Sequence, residues 1–229
     1  LPVPPVDQAQ KEEIVKVETD KYYMEWSNKG ASLQKLKFKE YVHEYANWTE
    51  KDALRKPDNW LELIPDYASK YASLLVFGEE QVNPQTKIAL ESTLWTIAKY
   101  PHQTTPEHKT PELIFELGPI GGIKYTKKFV FSDQKYFIAG ELALQNSTDG
   151  DLKRKLEISG GGSIVLETPD YATVLGYVNY LNKQGQPLHE YFSQASMAEE
   201  KFQFQIPAKI ESKGVEWVGM INSYFGHVL

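Results

Sequence analysis

Five histidines, His43, His102, His108, His189 and His227, are the side chains best suited to carry protons near neutral pH. They are scattered. His102 and His108 flank a Pro-Thr loop, and none falls into a cluster with carboxylates of the kind that paired acid-base catalysis needs. Glu107-His108 lies near His102, but the loop is Pro-flanked and offers no further obvious ligand, so no metal site is assigned. Gly160-Gly161-Gly162-Ser163 lacks the Lys-Ser/Thr of a phosphate loop and reads as a break between strands. Glu79-Glu80 and Glu199-Glu200 are sequence neighbours, whose side chains in a strand point to opposite faces; they read as surface charges. Tyr22, Trp26, Trp95 and Trp217 could stack on a sugar or a peptide, although aromatics in a β core need no ligand to explain them. No catalytic residue, cofactor site or metal site is therefore assigned.

The clearest positioning element is a long hairpin, Ile123 to Asn146, reading IKYTKKFVFSDQKYFIAGELALQN. Ile123, Tyr125, Phe129 and Phe131 share one parity opposite Lys124, Thr126 and Lys128, the period of a strand with one buried face, and Lys127 interrupts the apolar side. Ser132-Asp133-Gln134-Lys135 forms the turn, and Tyr136, Ile138, Leu142 and Leu144 share a face of the return arm around Gly140. Such a hairpin is not stable alone, so further strands must cover it.

The remaining chain supplies them. Strand-like alternation over 14–19, 22–26 and 31–39 predicts an N-terminal meander, with Lys35, Lys37 and Lys39 on the wet face of its third strand. Tyr41, Val42, Tyr45 and Trp48 fall at helical spacing, predicting one or two short helices within 40–56. Further strands are expected at 60–64, 73–77, 87–99, 112–117, 152–159, 164–167 and 201–206, and 118–122 is expected as a turn. Tyr171 to Leu181 fits a helical face, yet Gly176 and its Val, Thr and Tyr content favour a strand; with Asn182-Lys183-Gln184-Gly185 as turn and 187–192 as return arm, a hairpin is predicted.

With 229 residues, 41% hydrophobic and 24% charged, the chain can bury a sizeable core, and one β domain is the default expectation. The net charge of -6 gives no electrostatic reason to expect nucleic acid. Zero cysteines exclude disulfides and thiolate metal sites. No apolar run approaches the roughly 20 residues of a membrane helix. The Pro-rich opening LPVPPV and the polar residues after it read as an extended tether over 1–13, and a start without Met suggests an excised piece. At the other end, Trp217, Met220, Ile221, Tyr224 and Phe225 recur at three- and four-residue spacing, with Val228 on the same side, predicting an amphipathic helix.

Three blocks in order, VETDKYYMEWSNKGASLQKLKFKEY, LIFELGPIGGIKYTKKFVFSDQKYFIAGELALQNSTDG and EWVGMINSYFGHVL, resemble the large periplasmic domain of YidC-type membrane protein insertases of Gram-negative bacteria. The most specific elements are Gly30 in a strand-turn-strand, the Lys-aromatic hairpin ending in Asn146-Ser147, and Trp217 followed by Tyr224-Phe225. Residues 40–57 and 168–200 match nothing placed in the family. The resemblance implies an all-β, mainly antiparallel β-supersandwich of the galactose-mutarotase type, with short helices and a C-terminal helix. On it, residues 14–213 form the periplasmic domain, and 214–229 lead toward a second membrane helix absent from this chain. It also implies a non-catalytic chaperone-like role on the periplasmic face of the inner membrane. The Sec translocon with its SecD and SecF subunits would be partners, and nascent membrane proteins would be handled by the membrane core. The implied core-docking segment comprises Trp217, Met220, Ile221, Tyr224 and Phe225. A carbohydrate-binding or mutarotase-like module, or a free periplasmic chaperone, are the competing expectations. The isolated piece is expected to be monomeric.

Overall fold

The structure, a computed structural model, describes residues 11–42, 56–64, 74–83, 85–101, 111–132, 135–154, 156–158, 175–181, 184, 186–193, 214–221 and 226–228. It forms two compact units, Leu1–Gly162 and Ser163–Leu229. Both are antiparallel β, as the sequence pattern predicts, and a 3-10 turn at Pro57–Asn59 is the only helical element among the described residues.

In the first unit, β1 (Ile14–Glu18), β2 (Tyr22–Ser27), β3 (Ser32–Val42) and β4 (Trp60–Ile64) form one sheet in that order. Alternation decides what it buries: Val15 and Val17 from β1, and Tyr22, Met24 and Trp26 from β2, are all buried. Short strands β5 (Val76–Phe77), β6 (Glu79–Asn83) and β7 (Thr86–Ala89) follow. A second four-stranded sheet is built from β8 (Thr96–Lys99), β9 (Glu112–Ile120), β10 (Ile123–Phe131) and β11 (Ile138–Asn146), in the order β11-β10-β9-β8. The predicted hairpin is thus β10–β11, in continuous register from Ile123↔Asn146 to Phe131↔Ile138. Asp133 and Gln134 of its turn lie outside the described residues. The two sheets meet through rings: Trp26 of β2 lies 4.2 Å from Phe129 and 5.9 Å from Phe131 of β10, centroid to centroid. β12 (Glu157–Ile158) pairs with β5.

The turn between β2 and β3 is fastened from three directions. The Asn28 side chain accepts from the Glu13 amide at 2.8 Å and donates to the Lys11 and Trp95 carbonyls, both at 3.2 Å. The Trp95 amide donates to Asn28 O at 2.8 Å, and the Gly30 amide donates to Thr93 O at 2.8 Å. Gly30 has φ of +65°, and a Cβ there would stand 2.5 Å from the Glu91 carbonyl oxygen. Only glycine fits both the left-handed backbone and that approach.

In the second unit, β13 (Leu175–Leu181), β14 (Pro187–Ser193), β15 (Gly214–Ile221) and β16 (Gly226–Val228) form a sheet in the order β14-β13-β15-β16. The predicted hairpin is β13–β14, paired from Leu175↔Ser193 to Leu181↔Pro187.

Five expectations are corrected. Trp217, Met220 and Ile221 lie on β15, a strand bonded on both sides, and not on a helix. The run VEWVGMI carries two valines, a tryptophan and Gly219, all poor in a helix, and its amides find partners in β13 and β16. Tyr224 and Phe225 fall outside the described residues. Tyr41 and Val42 continue β3 and do not begin a helix; the rest of that expected helical stretch, through Lys56, is described only at Lys56. The strand expected over 87–99 is two, β7 and β8. Thr93 donates to Ala89 O at 2.7 Å and turns the chain, while Leu90 and Trp95 go fully into the core. The turn expected over 118–122 begins only at Gly121, because β9 runs on to Ile120, which pairs with Ile123 past an irregularity at Gly118-Pro119. Of the strand expected over 152–159, only Glu157–Ile158 is a paired strand among the described residues. Strands expected at 164–167 and 201–206 lie outside the described residues.

Candidate functional site

The polar face of the first sheet accounts for the lysine stripe. Lys35 lies 3.4 Å and Lys37 3.9 Å from a Glu62 carboxylate oxygen, and Lys39 lies 2.6 Å from Glu18. Glu62 on the adjacent β4 and Glu18 on β1, beyond β2, offset much of the stripe's charge and weaken its field toward a polyanion. On the second sheet, Glu112 bridges Lys99 at 2.8 Å and Lys128 at 2.9 Å. Hydrogen bonds from Lys99 and then Lys128 hold its carboxyl below the usual range.

Two charged side chains are inside the first unit. Lys127, on the buried face of β10, is 3% exposed and carries no carboxylate within ion-pair distance among the described residues. Its Nζ donates to Gly30 O at 2.7 Å, Ala31 O at 3.1 Å and Leu74 O at 2.8 Å, and stands 5.1 Å from the Trp95 ring centroid. Burial pushes this ammonium down to about 7. Glu80, expected at the surface, is 1% exposed, whereas its neighbour Glu79 faces solvent. Alternation is the reason: β6 turns one of two adjacent side chains inward. Arg154 Nε donates to both Glu80 oxygens at 2.8 and 3.0 Å, and the Tyr125 hydroxyl donates to Oε1. Burial, and then the Glu80 contact, push the Tyr125 phenol well above its ordinary range. Arg154 Nη2 also donates to Gly121 O at 2.8 Å, tying the β9–β10 turn into the same group. Both charges are engaged by the protein itself.

The surface offers a different kind of site at the β10–β11 connection. The hydroxyl of buried Tyr22 donates to Phe137 O at 2.8 Å, with Ser132 O and Lys135 O each 3.1 Å away. One β2 side chain thereby anchors the far end of the hairpin. Above it the rings of Phe38, Tyr41 and Tyr136 meet, at 4.7 Å for Phe38–Tyr136 and 5.7 Å for Tyr41–Tyr136. Tyr136 donates to Glu40 at 2.5 Å, Glu40 pairs with Lys21 at 2.5 Å, and Lys21 stands 5.4 Å from the Tyr136 centroid. Hydrogen bonds from Lys21 and then Tyr136 hold the Glu40 carboxyl below its usual range. Phe137 is 62% exposed, Tyr136 38% and Tyr41 37%. A rim of exposed aromatics beside a charged pair has the composition of the anchoring part of a protein interface.

Of the residues singled out in the sequence, Tyr22, Trp26 and Trp95 are in the core and so cannot stack on a ligand. Trp217 lies opposite Asn179 in the β15–β13 register, and Asn179 lies opposite His189 of β14. His227 is on β16, opposite Met220. His43, His102, His108, Glu107, Glu199 and Glu200 lie outside the described residues, as do Gly160 to Ser163. Lys127 was legible as a charge on an apolar parity; nothing in the sequence signalled the burial of Glu80. A family model described as the YidC periplasmic domain matches residues 14–229. No curated protein matches the chain.

Proposed function

Because the chain belongs to the YidC periplasmic domain family, and so to the periplasmic side of the inner membrane, we propose that it is a non-catalytic docking and support domain of a membrane protein insertase. In this reading it binds Sec translocon components, SecD and SecF among them, and holds them beside the membrane core that handles nascent membrane proteins. The observation that carries the reading is the preorganised rim of Tyr41, Tyr136 and Phe137, fixed from beneath by Tyr22. Its buried charges are consumed by structure: Lys127 by three carbonyls, Glu80 by Arg154 and Tyr125. Trp217, Met220 and Ile221, which lie on β15, remain with Tyr224 and Phe225 a second proposed contact toward the membrane core. The test is copurification of Sec subunits with the full-length insertase. Phe137→Ser, which removes a ring already in solvent, is expected to cut recovery about tenfold, the scale of about 1.4 kcal/mol for one interface anchor. Unchanged recovery, with the domain folded, would remove the rim from the interface.

A further inference from the structure

Lys127 brings three donors to three acceptors from two separate stretches of chain: Gly30 O and Ala31 O in the β2–β3 turn, and Leu74 O ahead of β5. Ammonium has three N–H bonds and no lone pair, whereas the neutral amine has two N–H bonds and one lone pair. Each protonation state thus carries a penalty. Among the described residues, the ammonium is a buried charge solvated by neutral dipoles and the Trp95 face, and the amine leaves one carbonyl without a donor. Leu74 is the residue able to let go. Its carbonyl contact is part-buried while the other two are buried, and it holds an unfavourable φ of +64° for a side chain of its size.

Among the described residues, the titratable groups nearest this cluster are few. The cross-strand neighbours of Lys127 are Phe115 and Leu142. Around the carbonyls, Lys29 of the turn is exposed, and Glu91 approaches Gly30 through its backbone while its own Oε2 has no hydrogen-bond partner. Two residues along the same face of β10, Tyr125 donates to Glu80, which also holds Arg154.

We infer that Lys127 is a proton-controlled latch, pinning the Leu74 segment to β10 as the ammonium and releasing the Leu74 carbonyl as the amine. The linkage has a definite sign. An acceptor at Nζ stabilises the ammonium more than the amine, so losing the proton and losing Leu74 O favour one another, and release increases as pH rises. Burial brings this step down from the 10.5 of a free lysine toward neutrality. Global unfolding responds the other way. The unfolded chain keeps the lysine proton up to 10.5, so the depressed folded value makes stability against complete unfolding rise with pH between about 7 and 10.5 and fall as pH drops through 7. Local release and global unfolding are therefore separable in one titration.

The experiment follows the Lys127 Cε resonance of the unmodified chain by NMR from pH 5 to 11, together with the hydrogen-exchange protection factor of the Leu75 amide, corrected for intrinsic base catalysis. The expected result is a Lys127 midpoint between about pH 6 and 8, with Leu75 protection falling about tenfold through the same midpoint. Lys127→Arg, whose guanidinium keeps its proton across this range, is expected to hold Leu75 protection level. A Lys127 midpoint near 10.5, or Leu75 protection unchanged through the Lys127 midpoint, overturns the latch even if the Arg variant fails to fold.

Discussion

Glu80→Ala is expected to destabilise the first unit by about 2–4 kcal/mol, because it empties a buried side-chain site and leaves the buried Tyr125 hydroxyl without its acceptor, while Arg154, 28% exposed, can turn to water. The loss exceeds that of an ordinary surface charge because three groups depend on this carboxylate. Arg154 holds it through Nε, Tyr125 donates to it, and Arg154 in turn reaches the Gly121 carbonyl in the β9–β10 turn. Glu80→Gln keeps the shape and an acceptor oxygen but removes the charge, so a smaller loss of about 1–3 kcal/mol is expected. Urea unfolding followed by circular dichroism measures both. A Glu80→Ala value within about 1 kcal/mol of wild type, at unchanged slope, would mean that the group relaxes to water and does not tie β6, β10 and Arg154 together.

How far these features can be read in the sequence depends on the range of the forces behind them. The β10–β11 hairpin is plain because alternation is local: Tyr125, Phe129 and Phe131 share a parity, and that parity is the buried one. β13–β14 was decided by Gly176 and the valines, again local information. The closing segment shows the opposite. Its three- and four-residue apolar spacing mimics a helix, but β15 gains hydrogen bonds from β13 and β16, more than thirty residues away in one case and five in the other, and spacing cannot register those partners. Glu80 fails for a related reason. Which of Glu79 and Glu80 turns inward depends on where β6 meets Tyr125 and Arg154, both far along the chain. The aromatic rim is likewise assembled from β3 and the residues before β11, joined by Tyr22, by the Phe38–Tyr136 ring contact and by the Tyr136–Glu40 hydrogen bond. Lys127 is the intermediate case, since a charge on an apolar parity announces an anomaly without naming the carbonyls that satisfy it.

Trp26→Ala is expected to cost about 3–5 kcal/mol, the range for deleting a fully buried large aromatic. Trp26 is 0% exposed and sits between the two sheets, with Phe129 and Phe131 of β10 against it. Its indole N–H has no hydrogen-bond partner among the described residues, so Trp26→Phe removes an unsatisfied donor together with part of the ring. The Phe variant is therefore expected to lose clearly less, about 1–2 kcal/mol, with the cavity penalty partly offset. Thermal and urea unfolding of the two variants side by side give the comparison. Equal losses would show that the indole N–H is satisfied in solution, and a small loss for Trp26→Ala would show that the two sheets are not joined at this ring.

The aromatic surface of this chain, and not chemistry in its interior, is what we propose serves the insertase. Insertion of a Sec-dependent membrane protein into proteoliposomes, by the full-length insertase together with the translocon, tests it most directly. Three proteins are compared at matched levels: wild type, Tyr136→Ser with Phe137→Ser, and Glu79→Gln with Lys87→Gln. The last pair breaks a surface ion pair of the β6–β7 hairpin, expected to matter by less than about 1 kcal/mol. The prediction is a several-fold drop in inserted product for the rim variant alone, with circular dichroism showing both variants folded. Equal insertion by all three proteins would contradict the claim.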